Sequence, residues 1–109
     1  MEGGTIMGLG NALLGEISFT KGRPRQSNFT DYRVLRMDGA PRDIRVHIVP
    51  STAIPGGVGE PAVAPTMPAV CNAIFAATRH RIRSLPVATQ AARAGAHPVA
   101  TSVGLYRMG

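Results

Sequence analysis

Apolar residues near the beginning of the chain recur at helical spacing within a glycine-rich stretch. Ile6, Leu9 and Leu13 would lie on one face of a helix over residues 3–15. The glycines in this stretch lower its helix propensity, but they also allow a second backbone to approach closely. We therefore predict a first helix that ends near Gly15 and packs against another element.

Further along, apolar and polar residues alternate, as they do in β-strands with one buried face. Residues 16–20 are followed by a Lys-Gly-Arg turn, and residues 26–29 are the expected return strand of a hairpin. Residues 44–49 alternate most regularly and give the clearest strand signal in the chain. These stretches predict a small antiparallel sheet.

A long loop rich in proline and glycine follows over residues 51–65. The apolar residues then return to helical spacing over residues 66–78, which predicts a second, amphipathic helix with Thr66 as its N-cap. Its predicted buried stripe consists of Val70, Ile74 and Ala77.

Together these elements predict an α+β fold with a Gly-rich helix, a small antiparallel sheet, a long Pro/Gly loop and a second amphipathic helix. The chain has 109 residues, enough for one small domain, and we assign residues 1–87 to it. Residues 88–109 are rich in alanine and glycine and have little periodicity. We expect them to form a poorly ordered, flexible tail.

The formal net charge is +6, but the basic residues are scattered and are not interleaved with aromatic residues. We therefore expect a solvated basic surface or a subunit-docking face, and no nucleic-acid partner. Cys71 is the one cysteine, so an internal disulfide is excluded, and a small buried apolar role is expected for it. Neither a membrane span nor a secretory signal is predicted, and the compartment, cytoplasm or periplasm, stays open.

Among the few acidic residues, Glu60 lies in the Pro/Gly loop, within the run Pro-Gly-Gly-Val-Gly-Glu-Pro. Taken by itself, a single glutamate in such a loop is most often a solvated surface charge. His47 belongs to an alternating strand pattern, while His80 and His97 are too distant in sequence to suggest a ligand set with it. We predict no metal site built by this chain's side chains.

Several motifs occur along the chain in a fixed order. They are Ser-Asn-Phe-Thr-Asp-Tyr-Arg-Val-Leu-Arg-Met (27–37), Val-His-Ile-Val-Pro-Ser-Thr (46–52), Pro-Gly-Gly-Val-Gly-Glu-Pro (55–61), Asn-Ala-Ile-Phe-Ala-Ala-Thr (72–78) and Arg-Ile-Arg-Ser-Leu-Pro (81–86). Together they resemble the C-terminal portion of the molybdopterin-binding large (beta) subunit of isoquinoline 1-oxidoreductases. More distantly, the chain is similar to aldehyde oxidases and xanthine dehydrogenases. The opening Glu-Gly-Gly-Thr-Ile-Met-Gly-Leu-Gly is also of the family's type, and the likeness covers about residues 2–86.

The resemblance implies a molybdenum hydroxylase, which oxidises an electron-poor carbon of an N-heterocycle or aldehyde with oxygen from water. The family's general base is the glutamate of its Val-Gly-Glu-Pro motif, which matches Glu60. Such a base needs a carboxylate near the metal that can accept a proton near neutral pH. Gly57, Val58 and Gly59 would form the loop beside the molybdenum cofactor, and residues 1–87 would be part of a cofactor-binding domain.

The implied partners are the remainder of the large subunit and a 2Fe–2S subunit. The loops that hold molybdopterin are expected outside this sequence, so the cofactor is expected in the assembled enzyme and not on this chain alone. The alternative is a non-catalytic remnant or a small interaction module derived from the family.

Two details of the matching segments concern local structure. Asn28, Asp31 and Tyr32 are predicted to form a structural turn. The family commonly has a glycine where Arg79 follows the second helix, so a distorted helix end is expected there.

Overall fold

The computed structural model describes residues 1–93. Its helices, together with a two-stranded antiparallel sheet, confirm the predicted α+β class for this part of the chain. The elements in chain order are α1 (Glu2–Leu13), β1 (Phe19–Thr20), β2 (Arg23–Pro24), α2 (Val63–Thr78) and α3 (Val87–Arg93).

Helix α1 occurs close to the predicted range and ends where two backbone amides share one acceptor. The N–H groups of Leu14 and Gly15 donate to the carbonyl of Gly10 at 2.9 and 3.0 Å. The helix packs closely on the beginning of α2, since an ideal Cβ on Gly8 would lie 2.6 Å from the carbonyl oxygen of Val63. A glycine is therefore required at this helix crossing, as the sequence predicted for this stretch.

The core lies where the three helices of residues 1–93 meet. Leu9, Val70 and Cys71 are partly buried and pack around it, so Cys71 contributes apolar surface without being fully buried. Ala77 is exposed, and its place in the predicted stripe was wrong. The buried cluster consists of Leu13, Leu14, Ile74, Ile82 and Val87.

The hairpin is shorter than predicted because its turn is tight. Phe19 and Thr20 pair with Pro24 and Arg23 across a turn in which Lys21 and Gly22 both have positive φ, 51° and 75°. Two central residues with positive φ match the right-handed twist of a hairpin.

Residues 26–29 do not form a strand, so the predicted return strand was wrong. The backbone N–H of Ser18 donates to Gln26 Oε1 at 2.8 Å, so a side chain extends the contact beyond the hairpin. The next residues form a turn, in which the carboxylate of Asp31 accepts hydrogen bonds from the backbone N–H groups of Ser27 and Asn28.

The predicted strand over residues 44–49 was also wrong. This segment has no regular secondary structure, and no strand of the described residues pairs with it. Ile48 and Val49 are each 83% exposed. Alternation alone does not make a strand when no neighbouring backbone is available to accept its hydrogen bonds.

Helix α2 starts at Val63, three residues before the predicted start at residue 66. Thr66 is not the N-cap, because its hydroxyl donates to the carbonyl of Ala62 at 2.6 Å from within the first turns. The helix ends at Arg79, which has a φ of 60° and donates its N–H to Phe75 O at 2.8 Å. The distorted helix end that was expected at Arg79 is therefore an arginine in the left-handed backbone conformation.

Residues 88–93, the start of the predicted tail, belong to helix α3, whose first residue, Val87, is fully buried in the core. The hydroxyl of Thr89 donates to the carboxylate of Glu16 and ties α3 to the segment after α1. Residues 94–109, the rest of the predicted tail, lie outside the described residues. No helix in residues 1–93 is long and apolar enough to cross a membrane.

Candidate functional site

The loop that contains Glu60 is irregular and exposed, and it leads directly into α2. The carbonyl of Glu60 accepts a hydrogen bond from the N–H of Val63 at 2.9 Å. Because Val63 is the first residue of α2, this bond ties the end of the loop to the helix. The backbone position of Glu60 is therefore coupled to the place where α2 meets α1.

A second contact holds the same loop one residue earlier. An ideal Cβ on Gly4 would overlap the carbonyl oxygen of Gly59 and would lie 3.4 Å from Cβ of Ala62. The missing side chain at Gly4 thus allows the loop backbone to rest directly on α1. The sequence indicated close approach to this helix but not which backbone approaches.

The side chain of Glu60 approaches Gly57, three residues earlier in the loop. Its Oε1 atom is 3.6 Å from the position of a Cβ on Gly57, while Cβ positions on Gly56 and Gly59 would meet no atom within 4 Å. Glu60 itself is exposed. The carboxylate is consequently open to an approaching molecule and can accept a proton from it.

A groove of about 730 Å³ adjoins this loop. Val58 forms part of its wall, and Glu2 and His47 add two ionisable side chains. His47 was predicted to lie on an ordinary polar strand face, with no role beside the loop. No local signal could have indicated one, because the groove brings residues 46–49 beside residues 1–3. Its complete lining is Met1, Glu2, Gly3, Val46, His47, Ile48, Val49 and Val58.

Asn28, Asp31 and Tyr32 form the turn that was predicted from the sequence. The carboxylate of Asp31 accepts backbone N–H groups of Ser27 at 3.0 Å and Asn28 at 2.9 Å. These bonds, with Asn28 contributing most, lower the pKa of the Asp31 carboxyl below its usual 3.8. Tyr32 lines a separate groove beside Gly10 of α1. The structure assigns these residues to a turn and does not bring them into the wall that contains Val58.

Metal-ligating side chains do not gather in this part of the protein. Among the described residues there is no group of three or more His, Cys, Asp or Glu side chains that could hold a metal ion. His97 lies outside those residues. Gly57, Val58 and Gly59 are exposed, and a Cβ on Gly59 would meet no atom within 4 Å.

Over most of its length the chain is similar to two oxidoreductases, which supports the molybdenum hydroxylase-like family predicted from its motifs. It is 40% identical over 87 residues to isoquinoline 1-oxidoreductase subunit beta of Brevundimonas diminuta. It is 36% identical over 86 residues to a membrane-bound aldehyde dehydrogenase (pyrroloquinoline-quinone) of Gluconacetobacter polyoxogenes. No protein-family model matches the chain. No solved structure matches it either.

The matches cover most of this chain but little of the relatives. They span 80% and 79% of the chain, and 11% of the length of each relative. The name of the first relative states no cofactor, whereas the second carries pyrroloquinoline quinone in its name. The comparisons thus support a cofactor-dependent oxidoreductase family, and they do not agree on one cofactor.

Proposed function

We propose that this chain is the C-terminal portion of the large subunit of a molybdenum hydroxylase and contributes its general base, Glu60. The reaction is the oxidation of an electron-poor carbon in an N-heterocycle or aldehyde with oxygen derived from water. The observation that carries the proposal is the 40% identity to an isoquinoline 1-oxidoreductase beta subunit over 80% of the chain. The exposed carboxylate in the matching motif supports it.

Glu60 would act by taking up a proton at a carboxylate oxygen. Its exposure leaves the carboxylate accessible, and its position over Gly57 keeps it beside the open glycine backbone. The contacts at Gly59 and Val63 fix the backbone on both sides of it. Fixing the backbone reduces the conformational entropy that the base loses when it is aligned with its proton donor.

The molybdenum held by molybdopterin, when bound, would supply two-electron redox chemistry and Lewis-acid activation of water. From this chain, Gly57, Val58 and Gly59 would line the cofactor through their exposed backbone. The groove beside Val58 offers His47 as a further polar group toward a bound molecule. The side chains that hold the cofactor would belong to the rest of the subunit.

The proposed partners are the remainder of the large subunit and a 2Fe–2S subunit. The name of the first relative describes one subunit of a larger assembly. Ile48, Val49 and Ile54 are exposed by 83%, 83% and 94%, which is unusual for a run of large apolar side chains. Covering them with the rest of the subunit would remove this apolar surface from water.

The general-base assignment is tested by Glu60→Gln in the enzyme assembled by co-expression with the rest of the large subunit and a 2Fe–2S subunit. Glutamine keeps the size of the side chain but cannot take up the proton, so turnover of an N-heterocycle or aldehyde should fall about 10²–10⁴-fold. Asp38→Asn is the matched control, because Asp38 is exposed and lies in a different loop. Equal turnover of the Glu60→Gln enzyme and its parent would disprove the assignment.

The cofactor assignment is tested by analysing the same assembly for molybdenum and for pyrroloquinoline quinone. Stoichiometric molybdenum in the assembly, and none in the separate 109-residue chain, is the expected result. Pyrroloquinoline quinone without molybdenum would contradict the cofactor assignment while leaving the oxidoreductase class intact. Assembly with neither cofactor would favour the non-catalytic interaction module.

A further inference from the structure

We infer that Gly4 is a positioning residue for Glu60: its lack of a side chain sets where the loop places the candidate base. The inference rests on the proposed function and adds to it a residue on α1 that does not itself touch the reacting molecule. It follows from the contact between Gly4 and the carbonyl group of Gly59.

The contact leaves no room for a side chain at Gly4. A Cβ there would overlap the Gly59 carbonyl oxygen and approach the Cβ of Ala62 to 3.4 Å. The obstructing atom belongs to the backbone and cannot rotate away as a flexible side chain would. A substitution must therefore move either α1 or the loop.

Displacement of the loop would pass directly to Glu60. The carbonyl of Gly59 belongs to the peptide group whose nitrogen is that of Glu60, so the two move as one rigid plane. On the C-terminal side, the backbone carbonyl of Glu60 accepts a hydrogen bond from the N–H of Val63. Val63 in turn lies against Gly8 of α1. With the beginning of α2 fixed against Gly8, the peptide between Gly59 and Glu60 must absorb the shift.

The neighbouring glycines of α1 provide matched controls. A Cβ on Gly3 would meet no atom within 4 Å, although Gly3 is in the same helical turn. A Cβ on Gly10 would lie 3.4 Å from Cβ of Leu35 and far along the helix from the loop. Each variant is a glycine-to-alanine replacement in the same helix, and Gly3 shares the first turn with Gly4, so differences between these two variants report on the contacts.

The first experiment measures loop position by NMR in the full chain. Gly4→Ala should shift the amide resonances of residues 57–63, whereas Gly3→Ala and Gly10→Ala should leave those resonances unchanged. In the unsubstituted chain, a nuclear Overhauser effect is expected between the α-protons of Gly4 and the methyl group of Ala62. Its absence would overturn the inference even if Gly4→Ala failed to fold.

The second experiment measures kinetics in the assembled enzyme. Gly4→Ala should lower kcat about 10–100-fold with little change in KM, because a misplacement of about 1 Å costs on the order of 10²-fold in rate. Gly10→Ala should retain the parental kcat, because Gly10 lies outside the groove beside Val58. An equal loss in both variants, or a loss confined to KM, would show that Gly4 does not position the base.

The two measurements separate failure of this inference from failure of the proposed function. If Glu60→Gln is fully active, the base assignment fails, whatever the NMR shifts show. If Glu60→Gln is inactive but Gly4→Ala has unshifted loop amides and parental kcat, the base assignment stands and the positioning role is rejected.

Discussion

At the scale of single residues, backbone conformation and close contacts determine which side chains the fold accepts. Gly4 and Gly8 each face a backbone carbonyl, whereas Gly3 faces open space in the same helix. Arg79 adopts a conformation that favours glycine but carries a long side chain. The sequence shows the residue types at these positions, but their steric surroundings come only from the packing.

Replacing Arg79 with glycine should stabilise the protein. A non-glycine residue in the left-handed region is strained, and the relief is partly offset by the greater freedom of glycine in the unfolded chain. We expect a gain of about 0.5–1 kcal/mol in the free energy of unfolding, measured by urea denaturation.

Arg81→Gly is the control for Arg79→Gly. The guanidinium of Arg81 lies 3.7 Å from the centroid of the Phe75 ring and donates to Asn72 Oδ1 at 3.3 Å. Its loss should therefore destabilise the protein. A lower stability in Arg79→Gly as well would show that the left-handed arginine is not strained.

The turn capped by Asp31 should weaken in acid. Backbone N–H donors lower the folded-state pKa of this carboxyl below 3.8, so its contribution to stability is present above pH 3.8. That contribution is lost as the pH falls through the folded-state pKa. A carboxyl ¹³C NMR titration should give a midpoint below 3.8 for Asp31. In Asp31→Asn this part of the pH dependence of stability should vanish, and an unchanged dependence would contradict the assignment.

At the scale of secondary-structure elements, helices were predicted more reliably than strands. The first and second helices were both found because their apolar residues contact a core at helical spacing, even though the start of α2 was misplaced. Residues 44–49 carried the clearest strand pattern and form no strand. A helix satisfies its hydrogen bonds within itself, whereas a strand depends on a neighbouring strand that the sequence pattern does not specify.

A proline in this segment should therefore be tolerated in the separate chain. Val46→Pro removes a backbone N–H that pairs with no strand in residues 1–93, so the free energy of unfolding should change by less than about 0.5 kcal/mol. Val70→Pro, in the middle of α2, is the control and should cost about 3 kcal/mol or more. Thermal denaturation followed by circular dichroism measures both. A large loss in Val46→Pro would show that the segment is already paired.

At the scale of the whole molecule, a small core coexists with extensive exposed apolar surface. Leu13, Ile74 and Val87 are buried where the three described helices meet, whereas Met37, Ile48 and Ile54 are exposed by 91%, 83% and 94%. A core of this size gives little stability to a chain of about 100 residues. The exposed surface is what a segment of a larger oxidoreductase subunit would present to its surroundings.

The sequence by itself determined the family resemblance and the α+β class, and it singled out Glu60 as the candidate base. Motif order and helical periodicity are local properties, and they can be recognised without knowing which segments meet. The tertiary structure decided that Gly59 rests on Gly4, that His47 lies in a groove beside Val58, and that residues 44–49 have no strand partner in the described part. The two contacts, and the missing strand partner, depend on which segments packing brings together, and the local sequence does not specify this.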